Sequence, residues 1–160
     1  RDMSGFDLDV APQMFIGAAA NPFADPFEYR VIRLAKKIDA GADFIQTQCI
    51  YNMDRFKEWL ERASNEGLTE KVYILGGVTP LRSSGMARYM NNKVAGMDIP
   101  ESIIKRMDGI QKKNQADEGI KICIETIEAL KELKGIHGVH IMAIEWEEAV
   151  GTIVKQAGLK

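Results

Sequence analysis

Apolar residues along this chain fall into two rhythms that alternate from one end to the other. Near-continuous apolar runs at Met14–Ala20, Asp43–Cys49, Val72–Val78 and Val139–Ile144 read as buried strands. Between them the spacing changes to that of amphipathic helices. Val31, Leu34, Ala35 and Ile38 recur at i, i+3, i+4 and i+7, which predicts a helix over about 26–40. Asp25 as N-cap, Pro26 at the first helical position and Glu28 at N3 spell a capping box, and Gly41 supplies the stop. Asn52 precedes a second stripe of Phe56, Trp59, Leu60 and Ala63, ending near Gly67. A weaker helix covers about 83–92, and Ile99-Pro100 opens a short one with Ile103 and Ile104 turned inward. The longest helix runs from about Asp117 to Leu133, with Ile120, Ile124, Ile127 and Leu130 on one face. Gly135 and Gly138 bracket the turn into the last strand, and a final helix at about 147–157 carries Ala149, Val150, Ile153 and Val154.

Strands of this kind alternating with helices predict an α/β fold of parallel βα repeats. Two architectures fit: a small open doubly wound sheet, or half of an eight-stranded β/α barrel. No linker or low-complexity seam divides residues 1–160, so they form one α/β segment. The net charge of −2 and the lack of a basic track argue against a nucleic-acid partner. No run approaches the ~20 apolar residues of a membrane span, and no signal peptide opens the chain. Cys49 and Cys123 lie in apolar contexts outside any CxxC pair, the pattern of buried reduced thiols in a cytoplasmic protein. The chain starts Arg1-Asp2 instead of with methionine, which reads as a piece cut from something longer.

Neither GxGxxG nor GxxxxGK[ST] follows any strand. Polar residues gather instead at the C-terminal ends of the strands: Asn21, Gln46, Gln48, Thr79 and Glu145. Both architectures place their ligands there. Gln46 and Gln48 are two apart and share a face, where their amides serve either as structural plugs or as partners for a ring that displays donors and acceptors. Gly76-Gly77-Val78-Thr79-Pro80 permits close backbone approach, for packing or for a ligand. Asn21-Pro22 reads as a turn or as part of a site. Arg33, Lys36 and Lys37 form either a solvated basic face or a seat for phosphates. His140, among Val139, Ile141 and Met142, reads as a hydrogen-bonded core residue, and His137 as an idle turn residue. Glu145, Glu147 and Glu148 flank Trp146 and suit a helix N-terminus. No Ser-His-Asp or Cys-His arrangement and no metal-ligand spacing is legible.

At these residues the chain resembles the methylenetetrahydrofolate reductase family, flavin-dependent β/α-barrel enzymes of one-carbon metabolism. Phe15-Ile16-Gly17-Ala18-Ala19 with Asn21-Pro22 is similar to the family's fifth strand and the loop after it. The run from Ala35 to Gln48 is similar to its strongest signature: lysine, then Asp39-Ala40-Gly41-Ala42, then a strand ending in Thr47-Gln48. Ile74 to Leu81 is similar to the seventh strand, and Ile99-Pro100-Glu101 and His140 to Glu148 complete the order. The wording of the last segment is nearest to versions from acetogenic or anaerobic folate pathways.

The resemblance implies the C-terminal half, four βα units, of a (β/α)8 TIM barrel. It implies flavin-dependent reduction of 5,10-methylenetetrahydrofolate to 5-methyltetrahydrofolate, with FAD or FMN as cofactor and NAD(P)H or an iron–sulfur subunit as electron donor. Gln48, Met86 and Met90 take substrate-binding positions; the two methionines stand where some members have a glutamine and an aromatic residue. Ala19, Asn21, Arg33, Lys36 and Lys37 take flavin-binding positions, Asn21 where many members have histidine. The arginine that some members place near Trp146 for the folate tail is absent. So are the family's acid-supplying glutamate and its flavin-tuning aspartate, which belong to the other half of the barrel. No catalytic residue is therefore assigned in this segment. It is expected to act as an oligomer, or with an N-terminal half completing it. The alternative is a non-catalytic pterin-binding or assembly module. A methyltransferase of the pterin-binding barrel type fits the flavin-region residues less well.

Overall fold

Four parallel strands stand side by side in chain order, β1 (Gly17–Ala20), β2 (Phe44–Cys49), β3 (Tyr73–Val78) and β4 (Gly138–Ile141). The computed structural model describes residues 1–159. Between the strands run α1 (Tyr29–Asp39), α2 (Met53–Asn65), then α3 (Ser84–Lys93), α4 (Glu101–Asp108) and α5 (Gln115–Lys131), with α6 (Glu148–Gln156) last. A doubly wound sheet reverses its strand order at a switch point. Here the order never reverses, and the main helices pack on one face. The fold is therefore that of a partial β/α barrel, four strands of the parallel winding.

The covered face is a conventional core. Ile45, Ile74 and Val78 meet Val31 and Leu34 of α1, Phe56 and Trp59 of α2, Ile127 and Leu130 of α5 and Ile153 of α6. A second cluster joins Cys49 and Leu81 to Ala87 and Met90 of α3, Ile104 and Met107 of α4 and Ile122 of α5. Helix α5 thus serves two clusters, so its buried arc is wider than the expected stripe. Ile122 and Cys123 are buried, whereas Ile120 and Ile124 lie at the margin. Gly119 permits this fit, because a Cβ there would run into the backbone of Leu81.

Three boundaries differ from expectation, each for a local reason. The first helix starts at Tyr29, not near Pro26. Residues 26–30 form tighter turns (Tyr29 N–H to the Pro26 carbonyl, 3.2 Å; Arg30 N–H to Phe27, 3.0 Å), and the Asp25 carboxylate pairs with Arg55 at 3.0 Å instead of capping. The first strand spans only 17–20, since residues 14–16 precede the start of β2 and are exposed. The fourth strand ends at Ile141 because its neighbour ends at Val78; the Met142 N–H to the Val78 carbonyl, 2.8 Å, closes the ladder. By contrast Asn52 caps α2 as expected, its side chain accepting the Arg55 N–H at 3.0 Å.

Candidate functional site

The uncovered face of the sheet is ordered in rows. At the N-terminal end Gly17, Phe44 and Tyr73 are aligned in register, and Phe15 stacks on Phe44 with centroids 5.4 Å apart. The Phe44 ring occupies the space a side chain on Gly17 would need. The next row is Ala19, Gln46, Leu75 and Gly138. Beyond it Gly77 pairs with His140. Polarity therefore rises towards the C-terminal ends of the strands.

A β-bulge shapes that polar end. The β2–β3 register shifts between Gln46 and Cys49. Buried Thr47 fills the gap: its hydroxyl accepts the Gly77 N–H at 2.8 Å and donates to the Gln48 carbonyl at 2.9 Å. Gly77 is required here, since a Cβ would strike the Thr47 carbonyl and approach the Gln48 carbonyl at 2.9 Å and Met142 Cε at 2.8 Å. The result is a floor of backbone carbonyls and the Met142 methyl group.

Over this floor opens a cavity of about 370 Å³, lined by Ala19, Asn21, Lys37, Gln46, Gln48 and His140, with Arg30, Arg33 and Met142 beside them. Small-molecule sites run from roughly 300 to 1,000 Å³. Helix α1 supplies the cations. Arg30, Arg33 and Lys37 are spaced i, i+3 and i+7, so they share a face. Lys37 donates its ammonium to the Ala19 carbonyl. Its pKa is held below the ordinary lysine range, first by burial and then by the like charges of Arg33 and Arg30. An anion in this cavity would relieve that repulsion.

The amides and imidazoles differ in how far the protein satisfies them. Gln48 accepts the Cys49 N–H at 3.1 Å and donates weakly to the Ala95 carbonyl at 3.5 Å. Asn21 accepts the Phe23 N–H at 3.0 Å, a turn contact, and its amide lies against Gly96, where no side chain would fit. His137 is not idle: its Nδ1 accepts the Ile74 N–H at 3.2 Å and its ring meets Tyr73 edge-on. His140 does not match the expectation of a hydrogen-bonded core residue. Its ring lines the cavity and, among the described residues, its buried Nδ1 has no partner, an omission that ordinarily costs about 1–3 kcal/mol. The neighbouring strand offers only Gly77, which has no side chain to answer it.

Of the residues singled out in the sequence, the fold gathers Ala19, Asn21, Arg33, Lys37 and Gln48 around one cavity. Lys36 lies outside it, on an outer groove with Pro26, Tyr29 and Ile32. Met86 is half-buried, its sulfur accepting the Arg82 N–H at 3.5 Å, and Met90 is buried in the second core cluster. Arg30 and Met142 escaped sequence reading, although helical spacing from Arg33 and strand spacing from His140 would have found them. At the rim, the Arg82 guanidinium sits 5.6 Å over the Trp146 ring and donates to the Glu145 carbonyl at 3.2 Å, where Glu145 takes a left-handed φ of 51°. The cysteines lie in the core: burial raises the Cys49 thiol, which contacts the Thr79 hydroxyl, and pushes Cys123 up to about 12. Among the described residues no helix is long and apolar enough to cross a membrane, and no His/Cys/Asp/Glu cluster could hold a metal ion.

A sequence model described as "Methylenetetrahydrofolate reductase" matches residues 7–158. The chain belongs to the methylenetetrahydrofolate reductase family. Among curated relatives it is 25% identical to a probable methylenetetrahydrofolate reductase (NADPH) of Caenorhabditis elegans, over 90% of this chain and 22% of the relative. It is 26% identical to methylenetetrahydrofolate reductase 1 of Schizosaccharomyces pombe, over 90% of this chain and 24% of that protein. The chain thus spans about a quarter of the length of these family members. Among solved structures, an uncharacterized protein from Clostridium thermocellum that binds two copies of 5-methyl-5,6,7,8-tetrahydrofolic acid aligns with a TM-score of 0.68 and 18% identity, over 93% of this chain and 54% of its own. That likeness supports the barrel winding. Within this reductase family fold, the cavity at the strand ends lies where barrels carry their chemistry.

Proposed function

We infer that this segment is the C-terminal half of a flavin-dependent methylenetetrahydrofolate reductase barrel, and that its open face seats a reduced folate beside FAD or FMN. The observation that carries this reading is the family match joined to one cavity holding Ala19, Asn21, Arg33, Lys37 and Gln48. The residues present fit such a group: cations for phosphate, amides for ring edges and, around Gly77, backbone carbonyls with the Met142 methyl group for a flat face. When bound, the flavin supplies two-electron chemistry for reducing 5,10-methylenetetrahydrofolate to 5-methyltetrahydrofolate. Lys37, Arg33 and Arg30 attract and orient its phosphate-bearing chain. Gln48 turns its amide towards the pterin, exchanging its long bond to Ala95 for a ligand contact. Lys36 adds long-range attraction from the outer groove, while Met86 and Met90 form an apolar backing behind the folate ring. Arg82, held over Trp146, brings a guanidinium to the rim where the folate tail would lie.

Electrons come from NAD(P)H or an iron–sulfur subunit, and the acid and flavin-tuning carboxylates come from the half that completes the barrel. The setting is cytoplasmic one-carbon metabolism, upstream of methionine biosynthesis, with assembly as an oligomer. The test is colour and turnover. Purified chain mixed with FAD or FMN should retain yellow absorbance after desalting, yet not turn over methylenetetrahydrofolate as a monomer. Turnover by the monomeric chain would overturn the division between halves. The folate bound by the structural neighbour favours a second reading, a pterin-binding module without redox activity. A colourless chain with folate affinity would select it.

A further inference from the structure

We propose that Gln46 and His140 form a hydrogen-bonding clamp for the edge of a planar heteroaromatic ligand that carries adjacent N–H and C=O groups. The resemblance assigns a ligand to neither residue, and the inference rests on the open face being a ligand site. Three of the glutamines differ in how far the fold commits them. Gln115 is buried and committed: its amide donates to the Met107 carbonyl at 2.9 Å and the Ile110 carbonyl at 3.2 Å, and accepts the Ser84 N–H at 3.1 Å. Gln48 is partly committed, to Cys49 and Ala95. Gln46 is half-buried on the cavity wall, and among the described residues its side chain makes no hydrogen bond. An amide placed as a structural plug resembles Gln115. Gln46 has the placement of a wall residue and the unmet valences of a recognition group.

His140 repeats this on the opposite side. It lines the same cavity from β4, and among the described residues its Nδ1 is buried without a partner. Between the two run Leu75, which pairs with Gln46, and Gly77, which pairs with His140. Neither offers a polar side chain, and over Gly77 the space is taken by Met142 Cε and the Thr47 and Gln48 carbonyls, so a flat ring crossing β3 would lie on these atoms. A glutamine presents two N–H groups and a carbonyl, and a neutral imidazole presents one donor and one acceptor. Together they match an edge on which N–H and C=O alternate, as in a pteridine or an isoalloxazine. The nearly two-fold torsion of the imidazole lets either nitrogen turn to the ligand.

The clamp predicts an unusual pairing of effects. His140→Phe removes an unanswered buried nitrogen, so the free protein should melt at the same or a higher temperature while ligand affinity falls. Titrations of the full chain with 5-methyltetrahydrofolate and, separately, with FMN should show Gln46→Leu and His140→Phe each weakening at least one ligand about tenfold, the worth of one net hydrogen bond. The double variant should lose less than the product of the two. His140→Gln, which restores a donor and an acceptor, should recover part of the loss. The ligand affected identifies which ring the clamp holds. Affinities within twofold of the unaltered chain for both ligands would overturn the clamp, as would His140→Phe lowering the melting temperature without changing affinity. If the unaltered chain binds neither ligand, the ligand-site reading falls and the clamp with it; if it binds both and the variants bind equally well, only the clamp falls.

Discussion

The two faces of the sheet are built from the same strands by opposite rules. On the covered face Ile45, Ile74 and Val78 are buried against helices that meet them with hydrocarbon. On the open face the aromatic residues Phe15, Phe44 and Tyr73 gather at the N-terminal end, and towards the C-terminal end Gln46, Gln48, Lys37 and His140 join Ala19, Leu75 and Met142. The covered face is stable chiefly through packed hydrocarbon, and among the described residues the Trp59 indole N–H is a buried polar group left unpaired there. Among the described residues the open face retains a buried imidazole nitrogen without a partner, and a Gln46 amide that makes no side-chain hydrogen bond. The packed core and the proposed ligand site thus fall on opposite faces of one sheet, which alternation along each strand makes possible.

The comparison breaks most visibly if the faces respond alike to truncation. Trp59→Ala, on the covered face, should cost about 3–5 kcal/mol in urea unfolding. Phe44→Ala removes a ring that is only half-buried on the open face and should cost about 1 kcal/mol; equal losses would dissolve the distinction. Next in size, Gly119→Ala should cost about 1–3 kcal/mol, because the new methyl group falls on the Leu81 backbone and forces α5 away. Lys37→Gln should leave the unfolding midpoint nearly unchanged and weaken flavin affinity about tenfold, read by fluorescence quenching. A large loss of stability with intact affinity would move Lys37 to the structural side.

The smallest effect lies far from either face. Arg106 binds Glu118 at 2.7 Å and Glu125 at 2.6 Å, and holds both carboxyls below their usual range, chiefly through these hydrogen bonds. A depressed carboxylate stabilises the fold above its unfolded pKa, and that contribution disappears as pH falls through its folded value. Arg106→Gln should therefore lower stability slightly at neutral pH and flatten its decline in acid. A variant whose acid unfolding curve keeps the original slope would show the network to be idle.

The fold was legible where periodicity and punctuation agreed. The stripe of Phe56, Trp59, Leu60 and Ala63 after Asn52 corresponds to α2 nearly residue for residue. It was less legible where tertiary contacts outrank local rules. Asp25 carries the pattern of a cap, but Arg55, thirty positions on, claims its carboxylate. On the candidate site, the glutamines and Lys37 announced themselves as polar groups at strand and helix ends. Two features did not. The bulge that lifts Gln48 depends on the Thr47 hydroxyl meeting Gly77 across the ladder, and no spacing rule encodes that. His140 appeared to belong to the core because its sequence neighbours are apolar; only the pairing with a glycine shows that nothing beside it can satisfy its nitrogen.

The central claim is that the open face, and not the covered one, holds the ligand. The direct measurement is backbone NMR of the isotope-labelled chain titrated with 5-methyltetrahydrofolate. Shifts should concentrate at Ala19, Gln46, Gln48, Gly77 and His140 while Phe56, Trp59 and Ile127 stay still. Perturbations centred on the helix-covered side, or none at saturating ligand, would contradict it.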